Sequence, residues 1–102
     1  MRIKITSCLA LLGLLLAGNA LSAGDAAAGK AKAAVCGGCH GMDGHSSNEL
    51  WPNLAGQKAT YLAIQIKAFR DGKRTDPMMA PMVTSLTDQD ADDLAAYYAG
   101  LD

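Results

Sequence analysis

The sequence predicts an all-α fold with three main helices joined by two long loops. Residues 25–36 are rich in alanine, the strongest helix former. Residues 58–70 and 87–101 carry apolar side chains three and four positions apart, which gives a helix one apolar face. Glycine, proline, serine and asparagine are concentrated between these segments, and no segment reads convincingly as a strand.

Residues 1–23 are predicted to be a secretory signal peptide that is removed on export. Arg2 and Lys4 give it a positive start, Leu9–Ala17 form an apolar run, and small residues lead to a cleavage site after Ala23. The segment is too short to be a comfortable membrane span.

The second predicted cleavage site follows Ala20. The alternative to cleavage is that the segment stays on the protein as an N-terminal anchor. Cys8 lies before the apolar run, and lipid attached there would leave that run on the mature protein, so we interpret Cys8 as removed. Residues 24–102 then form one domain. It is small enough to need a staple, meaning a covalent cross-link or a bound group that stabilises it, besides its apolar core.

The charge balance argues against nucleic acid as a partner. The chain has nine basic and ten acidic residues. Arg2 and Lys4 belong to the signal segment, so seven basic residues face ten acidic ones in the mature chain, a net charge of −3. Nucleic-acid-binding domains are typically basic.

The first helix is expected from Asp25 to about Cys36. Asp25 has a side chain that caps helix N-termini. Gly29 lowers the stability of this helix by about 1 kcal/mol relative to alanine. The expected reason for a glycine there is close approach by another element.

The second helix is expected from Lys58 to Arg70, and Asp71-Gly72 ends it. Its predicted apolar face comprises Tyr61, Leu62, Ile66 and Phe69, and its predicted outer face comprises Lys58, Lys67 and Arg70.

The last helix is expected to start at Thr87, which forms a Thr-x-x-Asp cap with Asp90. Its predicted apolar face comprises Leu94, Tyr97, Tyr98 and Leu101. Asp88, Asp90, Asp92 and Asp93 crowd its first turns, where they favour the positive end of the helix dipole. Residues 41–57 are predicted to be a loop because they contain glycine, serine, asparagine and proline. Residues 73–85 are predicted to be irregular because Pro77 and Pro81 exclude a regular helix.

The segment Cys36-Gly37-Gly38-Cys39-His40 has the pattern that attaches a c-type haem. Two thiols on one helical turn can each form a thioether to a vinyl group of the same porphyrin. The imidazole that follows is then held under the iron. A covalently bound haem also supplies the staple that a small domain needs.

Three other kinds of protein also carry two cysteines at this spacing. Thioredoxin-like chemistry expects a βαβ frame, and nothing in the sequence resembles a parallel strand. A structural zinc site needs four ligands, and only His45 is left to join the motif. A plain disulfide would not need His40.

The second axial ligand decides between electron transfer and catalysis at an open iron. A thioether suits a carrier of raised potential. Met42 is two residues from His40 and cannot reach the opposite haem face, and His45 is only slightly further along. The remaining candidates lie in the second loop, which is long enough to wrap over the ring: Met78, Met79 and Met82.

In its order of motifs, the mature chain resembles class I c-type cytochromes. It is most similar to the small bacterial monohaem kind, such as cytochrome c553 and the single domains of cytochrome c4. We call the second loop, which carries Met78, Met79 and Met82, the Met loop. The segments that carry the resemblance are Gly29, residues 35–41, Asp43-Gly44, residues 52–57, Tyr61-Leu62, residues 69–74, the Met loop, residues 86–90 and residues 94–97.

The resemblance implies the cytochrome c fold, with one haem c attached to Cys36 and Cys39. It implies His40 as proximal ligand and Pro52 as the residue whose carbonyl fixes the His40 ring. It also implies Met79 as the axial methionine, with Met82 and then Met78 as fallbacks. Gly29 and Tyr97 fall on the family's crossing of the first and last helices.

The resemblance further implies a periplasmic one-electron carrier of a Gram-negative bacterium rather than an enzyme. Donor and acceptor would be redox proteins that bind transiently, and the chain would be a monomer with no membrane span after signal cleavage. Charged candidates for the rim of the contact are Lys58, Lys67, Lys73 and Arg74.

Three alternatives stay open. One is a haem protein whose iron is open or labile and binds a small ligand or peroxide. Another is a thiol–disulfide protein without haem. The last, compatible with electron transfer, is a dedicated haem subunit of a larger oxidoreductase complex.

Overall fold

The computed structural model describes residues 24–102, so the predicted signal segment lies outside the described residues. Five helices follow one another, and no strand occurs in this range: α1 (Ala26–Lys32), α2 (Ala34–His40), α3 (Ala59–Arg70), α4 (Ala80–Val83) and α5 (Asp88–Ala99). The prediction of an all-α fold is confirmed.

The first predicted helix is two helices. Asp25 is the expected N-cap, and its carboxylate accepts hydrogen bonds from the backbone N–H groups of Ala27 and Ala28. The chain then turns at Ala33, whose N–H bonds to the carbonyl of Lys30 at 3.3 Å. Ala33 is buried, so packing bends a chain that local propensity would have kept straight. The prediction of one helix to Cys36 was wrong.

The crossing of α1 and α5 explains the glycine in α1. A Cβ atom at Gly29 would overlap the backbone carbonyl of Asp93 and would lie 2.9 Å from the Cβ of Tyr97. Only a residue without a side chain lets the two backbones approach so closely. The predicted crossing of Gly29 and Tyr97 is present.

Asp93 adds a polar tie to the same crossing. Only 3% of this residue is exposed. Its carboxylate accepts hydrogen bonds from the Asp25 N–H at 2.8 Å, from Lys32 Nζ at 2.8 Å and from Gln89 Nε2 at 2.7 Å. A buried carboxylate is tolerated because it is paired and fully bonded.

The apolar core lies where α3 and α5 meet the Ala33 turn. Its buried members are Ala33, Leu62, Ala63, Leu94, Ala95 and Tyr98. Tyr61 was predicted on the apolar face of α3 but is 48% exposed. The buried face of α3 is therefore rotated toward Ala63.

Arg70 was expected to stay outside, but its side chain is only 18% exposed. The guanidinium pairs with Asp71 at 2.9 Å and Asp88 at 2.7 Å, and it donates to the carbonyl of Leu86 at 3.3 Å. It ties the end of α3 to the start of α5.

The second loop contains one turn of helix that the sequence reasoning excluded. Pro81 lies within the first two positions of α4, where its missing N–H would have had no helical partner. The prolines were interpreted as breakers, but here one of them helps to start a turn. By contrast, α5 begins as predicted, with a reciprocal capping box between Thr87 and Asp90.

Among residues 24–102, none of the helices combines the length and the apolar character that a membrane crossing requires.

Candidate haem site

The attachment segment forms α2, so its two cysteines lie one helical turn apart. Cys36 and Cys39 are both half-buried and unpaired. His40 ends the helix and is 8% exposed. Gly41 follows with a φ of 85°, a left-handed conformation that favours glycine. The turn directs the chain away from the helix directly after the imidazole.

The His40 ring is held by Pro52. Its Nδ1 lies 2.8 Å from the backbone carbonyl oxygen of Pro52. A carbonyl can only accept, so Nδ1 carries the proton and donates. In the neutral ring, Nε2 is then left with a lone pair, the form that binds metal.

The loop that presents Pro52 is tied to the rest of the domain. The Ser46 hydroxyl donates to the carbonyl of Cys39 at 3.2 Å. The N–H groups of Leu54 and Ala55 both donate to the carbonyl of Gly44. The Gly56 N–H donates to the carbonyl of Tyr98 at 2.9 Å, which links the loop to α5. These bonds fix the Pro52 carbonyl against the histidine.

Cys36 packs against the apolar core, and its side chain hydrogen-bonds with the buried Tyr98. Burial raises the pKa of the Cys36 thiol, and a side-chain hydrogen bond with Tyr98 opposes this shift. Thiols used in thiol–disulfide exchange generally have a lowered pKa instead. The environment of Cys36 therefore argues against the thiol–disulfide alternative.

The three candidate methionines differ in exposure. Met78 is 54% exposed and Met82 is 46% exposed, whereas Met79 is half-buried. The loop that carries them starts from the end of α3, where the N–H groups of Lys73 and Arg74 donate to the carbonyl of Ala68. Met79 is thus the member of the trio most enclosed by protein.

The other two ligand candidates, His45 and Met42, are both exposed. His45 is exposed, and its Nε2 is 2.7 Å from the backbone carbonyl oxygen of Asp102. Met42 is 70% exposed and packs over Gly37, where a Cβ would overlap its sulfur. Neither contact was predicted from the sequence.

Two of the four rim candidates are engaged within the domain. Lys67 Nζ pairs with Asp92 at 2.9 Å. The Arg74 guanidinium lies 4.5 Å from the centre of the Phe69 ring and donates to Gln65 at 2.7 Å. Lys58 and Lys73 are exposed.

The donor set fits a covalently bound haem. Two thiols on one turn match the two vinyl groups of a porphyrin, and the neighbouring imidazole has its Nε2 lone pair free of the Pro52 contact. A half-buried thioether stands in a separate loop.

Comparison with known proteins identifies the family. A family profile described as cytochrome c matches residues 26–102, which include the attachment helix, the Pro52 loop and the Met loop. The chain belongs to the cytochrome c family. Its cofactor is haem c, bound covalently, and the family is one of electron-transfer proteins.

Individual relatives agree with this assignment. Cytochrome c4 of Pseudomonas aeruginosa is 56% identical over 87% of this chain and 44% of its own length. Cytochrome c-554(548) of Halomonas halodenitrificans is 51% identical over 76% of this chain and 96% of its own length. The chain therefore spans about half of the first relative and nearly all of the second.

A solved structure shows the same fold. Reduced recombinant cytochrome c4 from Pseudomonas stutzeri superposes with a TM-score of 0.75 and 42% identity, over 78% of this chain and 47% of that one. The predicted cytochrome c fold is confirmed.

Proposed function

We propose that the chain is a periplasmic one-electron carrier with His40 and Met79 as the axial ligands of a single haem c. The observation that carries the proposal is the hydrogen bond from His40 Nδ1 to the Pro52 carbonyl. It leaves the Nε2 lone pair of His40 available for iron, and His40 lies on the same helix as the two attachment thiols.

The residues of the chain perform four tasks in this proposal. Cys36 and Cys39 would anchor the porphyrin, and His40 would offer its Nε2 lone pair to the iron. Pro52 restrains the His40 ring through the Nδ1 hydrogen bond, which would keep the ligand in one orientation. Met79 supplies a neutral sulfur from a separate loop. When bound, the haem supplies an iron that gains or loses one electron.

The choice of Met79 is supported by its burial. A ligand has to lie against the cofactor, and a side chain that is mostly solvated requires more rearrangement to do so. Met78 and Met82 are each about half exposed, and Met79 is less so. A thioether paired with histidine is typical of cytochromes c of raised potential.

If His40 and Met79 both held the iron, no site for a substrate would be left on it, and the chain would act as a carrier. Donor and acceptor would meet the haem edge near the thioethers through small, short-lived contacts. Charge at the rim then tunes encounter more than affinity. Lys58 and Lys73 are exposed, and they are the rim candidates best placed to meet a partner.

The chain is proposed to act as a free monomer. Cytochrome c-554(548) matches this chain over 96% of its own length, so one domain of this kind makes up nearly all of that relative. A role as the haem subunit of a larger assembly is the second candidate. It is favoured by the structural match to thiosulfate dehydrogenase (TsdBA) from Marichromatium purpuratum, which is 36% identical over 76% of this chain and 19% of that one.

Spectroelectrochemical titration of the exported holoprotein tests the proposal. We expect one reversible transition with a one-electron slope and spectra that do not change on addition of carbon monoxide. Carbon monoxide binding to the reduced protein would instead establish an open iron. Size-exclusion chromatography of the same sample distinguishes a monomer from an assembly.

A further inference from the structure

One residue satisfies every free backbone donor at the start of the turn that carries Met79. The Asp76 carboxylate accepts hydrogen bonds from the N–H of Met78 at 2.8 Å and from the N–H of Met79 at 3.1 Å. The Asp76 carbonyl accepts the next one, from Ala80 at 3.0 Å. Pro77, between them, has no N–H to satisfy.

The dipeptide Asp76-Pro77 explains why the turn forms here. An aspartate before a helix accepts bonds from the second and third residues that follow, and proline is favoured as the first. Proline also disfavours the helical conformation for the residue before it, which suits the extended backbone of a cap. Met79 is therefore the third residue of a capped turn, residues 77–79, which leads directly into α4.

The backbone of Met79 is held on both sides. Its N–H donates to the Asp76 carboxylate, and its carbonyl accepts from the N–H of Met82 at 3.0 Å. Asp76 itself is half-buried. A hydrogen bond to an ionised carboxylate is stronger than one between neutral groups. The Asp76 bond is thus the stronger of the two restraints.

We propose that Asp76 is a positioning residue for Met79, because its carboxylate fixes the backbone from which the Met79 sulfur reaches the iron. The inference rests on the proposed function, since it requires Met79 to be the axial ligand. A thioether is a weak neutral ligand that competes with external anions. Loosening its backbone adds conformations that do not reach the iron and so favours the competitor.

Cyanide binding to the ferric holoprotein measures this effect, because cyanide must displace the sulfur. Asp76→Ala removes the cap, whereas Asp76→Asn keeps an acceptor oxygen on a side chain of the same length. Loss of a cap worth about 1 kcal/mol corresponds to roughly a five-fold change in an equilibrium constant. We expect Asp76→Ala to bind cyanide about five-fold more tightly than wild type and the affinity of Asp76→Asn to lie between the two.

Asp25→Ala is the matched control. Like Asp76, Asp25 accepts hydrogen bonds from the N–H groups two and three residues further on, those of Ala27 and Ala28. Asp25 caps α1, however, and does not lie in the Met loop. It should lower the free energy of unfolding without changing the cyanide affinity. Equal cyanide affinities for Asp76→Ala and Asp25→Ala would overturn the inference.

A fallback variant and the Met79→Ala protein complete the test. If Asp76→Ala gives too little holoprotein, Asp76→Gln replaces it, because it moves the acceptor by one methylene. We again expect tighter cyanide binding, and an affinity equal to that of Asp25→Ala would again overturn the inference. If Met79→Ala leaves cyanide binding unchanged, Met79 is not the ligand, and the proposed function fails together with the inference. If Met79→Ala binds cyanide more tightly but Asp76→Ala binds it as wild type does, the inference alone is wrong and the proposed function stands.

Discussion

Lys32 Nζ lies 2.8 Å from Asp93 Oδ2, and this ion pair joins the end of α1 to the buried face of α5. The hydrogen bond from Lys32, followed by those from the Asp25 N–H and Gln89, lowers the pKa of Asp93 to about 2. In an unfolded chain the pKa of an aspartate is about 3.9. The carboxylate is therefore stabilised in the folded protein.

The pKa difference predicts how stability depends on acid. The contribution of Asp93 is complete above about pH 4 and is lost as the pH falls toward about 2, because the unfolded chain binds the proton first. Asp93→Asn should be less stable than wild type at pH 7, with a smaller loss of stability over this interval. Urea unfolding of the holoprotein at several pH values measures both effects.

Lys32→Gln removes the principal cause of the shift and should weaken the same acid dependence. If Asp93→Asn and wild type lose equal stability between pH 4 and pH 2, the ion pair does not have the role assigned to it.

Gly29→Ala should destabilise the protein, although alanine is the better helix former by about 1 kcal/mol. The added methyl group would overlap the Asp93 carbonyl, and overpacking of this kind usually costs about 1–3 kcal/mol. Gly100→Ala is the control, since a Cβ there would lie 3.6 Å from its nearest neighbour at a negative φ. Thermal unfolding should distinguish the two variants, and a Gly29→Ala protein as stable as Gly100→Ala would contradict the close crossing.

The helix caps could be predicted because they act over a few residues. Asp25 and the pair Thr87 and Asp90 carry their partners within one turn, so the local sequence contains the whole interaction. The buried Asp93 could not be found in this way, because its partner Lys32 is 61 residues away along the chain. A periodicity argument places any aspartate outside unless that partner is known.

The attachment residues were predictable for the same reason, since Cys36, Cys39 and His40 share one turn. The turn at Met79 was missed although its signal was local. Asp76-Pro77 is a helix-start pair, but Pro77 and Pro81 were interpreted only as helix breakers. The hydrogen bond from His40 to Pro52 was expected from the family resemblance and could not have been derived from spacing alone.

The paired variant Cys36→Ala with Cys39→Ala should yield no covalently bound haem. Both thioethers are then lost, and the domain loses the staple that its small core requires. Haem staining of the exported protein on a denaturing gel measures covalent attachment. A normal stain in the double variant would contradict the assignment of the attachment motif.

Met79→Ala should leave haem attached but lower the reduction potential and open the iron to external ligands. The thioether favours the reduced state, and its removal takes that preference away. Met82→Ala and Met78→Ala are matched controls from the same loop and should keep the wild-type potential. If Met82→Ala shows the loss and Met79→Ala does not, the axial methionine is Met82.

The absorption spectrum of the exported holoprotein, ferric and then reduced, tests the central claim most directly. A carrier ligated by His40 and a methionine should show a sharp reduced c-type spectrum and the weak ferric band of an iron–thioether bond. A haem spectrum without that band, shifting when cyanide or carbon monoxide is added, would contradict methionine ligation and establish an open iron.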